Sequence, residues 1–349
     1  MKTRQAVIQH LKQHFIPPEP GQKVEVDFFK SEDAMGVVST CFAVYGSGYP
    51  VDTYYLPEKL VEENAKGKIH SVVARTQSNE VIGHGALFHS SSPFRGMYEA
   101  GQYIIQKAYR GSGVVLDINR YVTRLCPDKY DVAAMYGEPV TNHTITQKMS
   151  QDEGWVETAL EMDLMPARAY ASDETVKGRV STLLAFNIRK DRPHTLYLPQ
   201  VYTDRIKQDL TQLSLDRELS VPRAETPELK KSQTLQEFFE FAGVGRLQVL
   251  KTGKDIGAVI QTFMNDIQEQ NYHVAQVFLP LDQPLIHKTC MELNTNGFFY
   301  GGYLPRWFDS DGIIMQKIYG RPNFEGLKLY SEKAKRLMGY IKKDWQRVS

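Results

Sequence analysis

The chain has no long apolar run. Nowhere do ~18 or more apolar residues follow one another, the length a helix needs to cross a bilayer, and the N-terminal MKTRQAVIQHLKQHF carries charges where a signal peptide would have its apolar core. Charge of one sign is lacking too. With 42 Lys and Arg against 41 Asp and Glu the net charge is +1, so neither nucleic acid nor a membrane surface is expected as a partner. Cysteine is scarce: Cys41, Cys126 and Cys290 lie far apart, with no CxxC and no Cys/His ligand spacing. That excludes the usual zinc signatures and predicts three buried free thiols, no metal, and a reducing, cytoplasmic compartment.

What the 349 residues do contain is enough apolar material, 42% of the chain, for two domains of ordinary size. The informative stretch is residues 97–125, MYEAGQYIIQKAYRGSGVVLDINRYVTRL. Aromatic and β-branched residues from Tyr98 on predict a strand. AYRGSG is a glycine turn, and after Val114 the apolar positions Val115, Ile118, Val122 and Leu125 recur at helical spacing. A strand, a glycine turn and a helix make an anion cradle, because free N–H groups and the positive end of the helix dipole face one point. Two nucleotide loops are ruled out by missing residues. No Gly-Lys-Ser/Thr follows, as a P-loop requires, and position 116 is Leu where a dinucleotide fingerprint has its third glycine.

The stretch resembles the pyrophosphate loop of the GNAT acyltransferase superfamily, Gln/Arg-x-x-Gly-x-Gly/Ala, with Arg110 and Gly113 matching and Val115 standing where the family has Gly or Ala. A second match follows at the expected distance: Asn142, read as the cap of a helix bearing Ile145 and Met149, and then Gly154-Trp155 entering a strand. The resemblance covers residues 24–189. It implies an α/β fold of mixed-sheet GNAT type and acyl transfer, with acetyl-CoA or another acyl-CoA as co-substrate. Ile104, Ile105, Arg110, Gly111, Ser112, Gly113, Val114, Val115 and Asn142 would be the cofactor-binding positions, and the thioester would enter between splayed fourth and fifth strands.

The other elements agree in order. Alternation predicts strands at 23–30, 69–76, 81–90, 131–136, 156–164 and 181–189. Helices are expected at 4–15, from Ser31 as N-cap to 45, at 57–65 and from 114 to a stop at Pro127. Residues 203–213 read as a helix and 216–231 as a charged, proline-bearing loop. Further on, PLIHKTCMELNTNGFFYGG repeats the layout of NHTITQKMSQDEGWVETA without a glycine cradle before it. The expected division is therefore an N-terminal helical appendage (1–22), a GNAT catalytic domain (23–192) and a degenerate GNAT-like domain (193–349).

Acyl transfer to an amine needs a base for the ammonium proton. Glu99, upstream of Arg110 on the cradle strand, is the candidate, and burial near Tyr98 and Tyr103 is expected to raise its pKa. The family's tyrosine acid falls here on Met149, which leaves Tyr136, His143 or water; Tyr136 is the named candidate. Tyr45, Tyr49 and Tyr54, around the first helices, are candidates for the substrate-pocket wall, with ordinary loop packing as the rival reading. The expected acceptor is a small-molecule or peptide amine, and the expected assembly a monomer or homodimer. The alternative from another class is an acyl-CoA-binding sensor or scaffold without turnover.

Overall fold

The structure is a computed structural model that describes residues 3–170, 176–221 and 229–349. By contact the chain divides into two compact units. One comprises the chain up to Ser91 together with Met97–Met135, the other Ser92–Gly96 and the chain from Tyr136 on.

In the first unit, α1 (Arg4–His14) precedes β1 (Val24–Phe28), α2 (Ala34–Tyr45), α3 (Pro57–Ala65), β2 (Ile69–Thr76), β3 (Val81–Phe88), β4 (Met97–Ile105) and α4 (Val114–Arg120). The strands stand in the order β1-β2-β3-β4, each antiparallel to the next. The apolar face of α2 (Val37, Cys41) packs with Tyr54, Tyr55, Leu60, Val73 and Ile104 in a core closed to water. Two helix limits differ from expectation. Ser31 is not the cap: Ser31–Asp33 is a 3-10 turn, and Asp33 accepts the Lys30 N–H at 2.6 Å while holding Arg75 through two bonds. Nor does Pro127 stop the helix. After α4 the chain widens into a π turn, Tyr121–Leu125, and continues as α5 (Cys126–Lys129). Proline has no N–H and its ring clashes with the carbonyl four residues back, so the wider turn, in which Cys126 N–H bonds Tyr121 O, lets the helix pass it.

β5 (Ala134–Gly137) joins the two units in sequence. The second continues with α6 (Ile145–Asp152), β6 (Val156–Met165), β7 (Val180–Ile188), β8 (His194–Tyr197), α7 (Thr203–Leu213) and β9 (Arg217–Ser220). Then come β10 (Gln233–Phe239), β11 (Val244–Lys251), α8 (Ile256–Glu269), β12 (Val274–Pro280), α9 (Ile286–Thr295), β13 (Phe299–Leu304), β14 (Gly312–Ile318) and α10 (Glu332–Val348). Its main sheet runs β7-β6-β13-β14-β12-β11-β10. Part of the expected loop at 216–231 is β9, which pairs in parallel with β8; residues 222–228 of that loop lie outside the described residues.

From β1 to β7 the chain-order succession of strands and helices is the one the GNAT resemblance implies, in a mixed α/β fold. The repeated layout is also real. At the end of α6, Gly154 N–H bonds Gln151 O and Trp155 N–H bonds Ser150 O; at the end of α9, Gly297 N–H bonds Asn294 O and Phe298 N–H bonds Leu293 O. Both glycines are left-handed, so the same helix stop delivers an aromatic into a strand twice. The two strands so launched, β6 and β13, are neighbours through Ala159 and Gly302. A Cβ on Gly302 would lie 2.2 Å from the Ala159 Cα, so only glycine permits this approach.

Candidate acyl-CoA and acceptor site

The cradle is built from β4 downward. Gln106, the residue after β4, is buried, and its amide donates to Thr40 Oγ1 and to Val81 O, both at 3.1 Å, which ties the loop to α2 and β3. A 3-10 turn, Lys107–Tyr109, follows. The Arg110 guanidinium folds back to donate to Ile105 O at 3.2 Å, and Ser112 Oγ donates to Tyr109 O at 2.7 Å. Both polar side chains are thus used inside the loop. Gly111 and Gly113 have φ of 82° and 86°, and a Cβ at either would meet nothing within 4 Å. The left-handed Gly113 caps α4 without a side chain.

Four amides, those of Gly111, Gly113, Val114 and Val115, have no acceptor among the described residues, whereas Leu116 and Asp117 N–H close back on Gly113 O. Free amides at the positive end of a helical run, beside open space at two glycines, fit an anion of diphosphate kind. The other cofactor candidates are placed as follows. Ile104 is core, opposite His84, and Ile105 is half-buried opposite Gly83. Asn142 belongs to the second unit and caps nothing. The helix begins three residues later, and His143 Nδ1 accepts the Ile145 N–H at 3.3 Å instead. Ile145, expected on a packed face, is 66% exposed.

Glu99 lies on the face of β4 opposite Tyr98 and Tyr103, the two residues expected to bury it. Alternation along a strand sends neighbours to opposite faces. Tyr98 bonds Gly67 O and packs on the His89 ring at 4.1 Å, and Tyr103 bonds Asn119 on α4. Glu99 looks the other way, and its charge adds to the upward shift of the Tyr49 and Tyr54 phenols, which burial pushes up first. The structure therefore brings Glu99 together with the tyrosines proposed as the pocket wall. Their rings form a ladder: Tyr45 to Tyr49 at 4.8 Å, Tyr49 to Tyr54 at 5.7 Å, Tyr54 to His84 at 5.3 Å. Tyr45 is 44% exposed and Tyr54 fully buried. Arg4 of α1 holds this loop from outside, donating to Ser47 O and Tyr49 O. Tyr55 bonds Gly46 O, but the Tyr54 hydroxyl has no partner among the described residues. An unmet buried hydroxyl costs about 1–3 kcal/mol. Tyr136 is in the second unit, wholly buried, its ring 5.0 Å from Trp307 and 6.0 Å from Phe186.

Sequence reasoning missed the device beneath the ladder. The register of β3 and β4 slips so that Gln102 and Tyr103 stand opposite Gly85, with Gln102 at a φ of +57°. His84 spans this bulge, Nδ1 toward Gln102 O at 3.2 Å and Nε2 toward Ser71 Oγ at 3.1 Å. The carbonyl can only accept, so Nδ1 carries the hydrogen and Nε2 accepts from the serine. Burial pushes the imidazole down to about 4 from 6.5. The unfolded chain takes up this proton near pH 6.5 and the folded one only near 4, so stability is full above pH 6.5 and falls as pH drops toward 4. We expect His84 to account for a loss of about 3 kcal/mol across that window. Urea unfolding at pH 7.5 and 4.5 checks it, with His84→Gln losing correspondingly less between the two.

No protein-family model matches the chain, and no curated protein does. Among solved structures, an N-acetyltransferase from Staphylococcus aureus Mu50 overlaps at a TM-score of 0.38 and 11% identity, covering 48% of this chain and 98% of that one. The ribosomal-protein-S5-alanine acetyltransferase of Vibrio fischeri gives 0.38 and 14%, covering 50% and 98%. A spermidine/spermine N-acetyltransferase of Vibrio cholerae gives 0.37 and 12%, covering 48% and 92%. Likeness at that level speaks to neither substrate nor activity. Among the described residues no helix is long and apolar enough to cross a membrane, and no cluster of ligating side chains could hold a metal ion.

Proposed function

We propose that this chain is an acyl-CoA-dependent N-acyltransferase, with acetyl the expected group and a primary amine the acceptor. The observation that carries it is the set of four unused amides at Gly111, Gly113, Val114 and Val115. These would hold the diphosphate of the co-substrate. Bound acyl-CoA supplies an activated thioester carbonyl. The chain's own work is on the amine: the tyrosine ladder walls its site, and Glu99 accepts the ammonium proton so that nitrogen attacks directly in a ternary complex. In this reading residues 23–192 are the catalytic GNAT domain and 193–349 a second, degenerate one. One fact supports the latter assignment: among the described residues between β11 and α8 there is no glycine of positive φ like Gly111 and Gly113 before α4.

Acetyl transfer to a panel of amines, with acetyl-CoA binding measured by calorimetry on the same samples, tests the proposal. Gly113→Ala forces a side chain into the left-handed region at a cost of about 1–2 kcal/mol, and it meets no neighbour. Acetyl-CoA affinity should fall about tenfold with the fold intact. Unchanged affinity would remove the loop from the site. Tight binding with no turnover on any amine would put an acyl-CoA sensor in place of the enzyme.

A further inference from the structure

The Tyr54 hydroxyl is the one feature of the ladder that packing does not explain. Its ring is wedged edge-on between Tyr49 and His84, as a phenylalanine would be, yet the residue carries a hydroxyl that is fully buried and meets no partner. Buried polar groups are almost always satisfied, so an orphan beside a candidate base is best read as waiting for a ligand atom. Glu99 lies on the same side of β4 and adds to the upward shift of the Tyr54 phenol, which is therefore neutral and keeps its hydrogen to donate.

We infer that Tyr54 selects the acceptor: it donates a hydrogen bond to an oxygen carried by the substrate next to the amine held at Glu99. This rests on the amine-acylation reading above and narrows it to a substrate class. The chemistry is one of matching hydrogens. An alkylammonium or polyammonium ion has only N–H donors at neutral pH and no lone pair for the phenol hydrogen. A carbonyl or ether oxygen close to the nitrogen, as in an α-amino amide or a peptide N-terminus, meets it. Because Tyr54 is fully buried, this role requires the Tyr49 ring, packed between half-exposed Tyr45 and Tyr54, to turn aside when the acceptor binds. Tyr49 lies between Gly48 and Pro50, outside regular helix and strand, so this movement disturbs no regular element.

The experiment compares glycinamide with n-propylamine, which are close in size, as ligands of the CoA-saturated protein by calorimetry. Wild type is expected to bind glycinamide about tenfold more tightly, the worth of one hydrogen bond to a buried donor. Tyr54→Phe should erase that preference while melting at the same or a higher temperature, because it deletes an unsatisfied group. A preference that survives in Tyr54→Phe, or no glycinamide preference in wild type, overturns the inference. Acetyl turnover on the same amines is read separately. Selective binding without turnover would sink the catalytic reading and leave the selectivity role of Tyr54 standing.

Discussion

Replacing Glu99 by glutamine lowers kcat for acetyl transfer about 10²–10⁴-fold at neutral pH, the usual contribution of a general base, and leaves acetyl-CoA affinity within twofold. The substitution keeps shape and volume and removes only the ability to take a proton. Position decides the size of the effect. Glu99 is half-buried on the α2 face of β4, close enough to Tyr49 and Tyr54 for its charge to act on both phenols, whereas the cradle amides belong to the loop after the strand. Base and diphosphate grip are therefore separable, and only the former should respond. The pH profile gives a second readout. In the variant the amine must lose its proton to solvent before it attacks, so the rate should climb about tenfold per pH unit until the free amine predominates. Wild type should level off at lower pH. A variant with full turnover at pH 7 would show that Glu99 is not the base. A variant that also loses acetyl-CoA would show that its charge holds the loop rather than the proton.

How far this site could be read from sequence follows the range of the signals involved. The cradle was legible because its cues are local: two glycines needing positive φ, then an apolar period of three or four starting at Val114. The paired helix stops at Gly154-Trp155 and Gly297-Phe298 were legible for the same reason. Glu99 is legible as a carboxylate on the cradle strand, but its surroundings are not: the expectation sets it near Tyr98 and Tyr103, while the alternation of β4 turns it toward Tyr49 and Tyr54. Nothing local announces the bulge that puts Gln102 and Tyr103 opposite Gly85, because strand register is settled between chains of residues far apart. His84 and Gln106 take their roles from that register, and neither has a spacing that would reveal them. Asn142 was read as a cap from its type alone, while the chain takes three more residues to begin α6. β8 and β9 are four residues each, too short for an alternation to show, and along β10 every residue but Thr234 is exposed, so its pattern carries little apolar contrast.

The largest effect on stability is expected deep in the second unit, where β6 meets the strands beyond it. Glu161 and Arg246 are 1% and 4% exposed and joined at 2.9 Å. Gln276 bridges them, donating to Glu161 Oε1 at 2.9 Å and accepting from Arg246 Nε at 3.0 Å, while Thr182 donates to the other carboxylate oxygen. The guanidinium also lies over the Phe278 ring at 4.8 Å. These four side chains come from β6, β7, β11 and β12, so the knot fastens β6 and β7 to strands that follow much later in the chain. Removing one charge leaves the other buried and unpaired. Arg246→Met should therefore cost about 3–5 kcal/mol, although methionine keeps much of the packing against Phe278. Removing both charges is a different case. A well-packed apolar pair is often as stable as a buried ion pair, so Glu161→Leu combined with Arg246→Met should regain most of that loss, with Gln276 left short of partners as the residual cost. Urea unfolding of the two single variants and the double closes the cycle. Losses that simply add would mean that the charges do not compensate each other and that the knot holds β6 to β11 by shape alone.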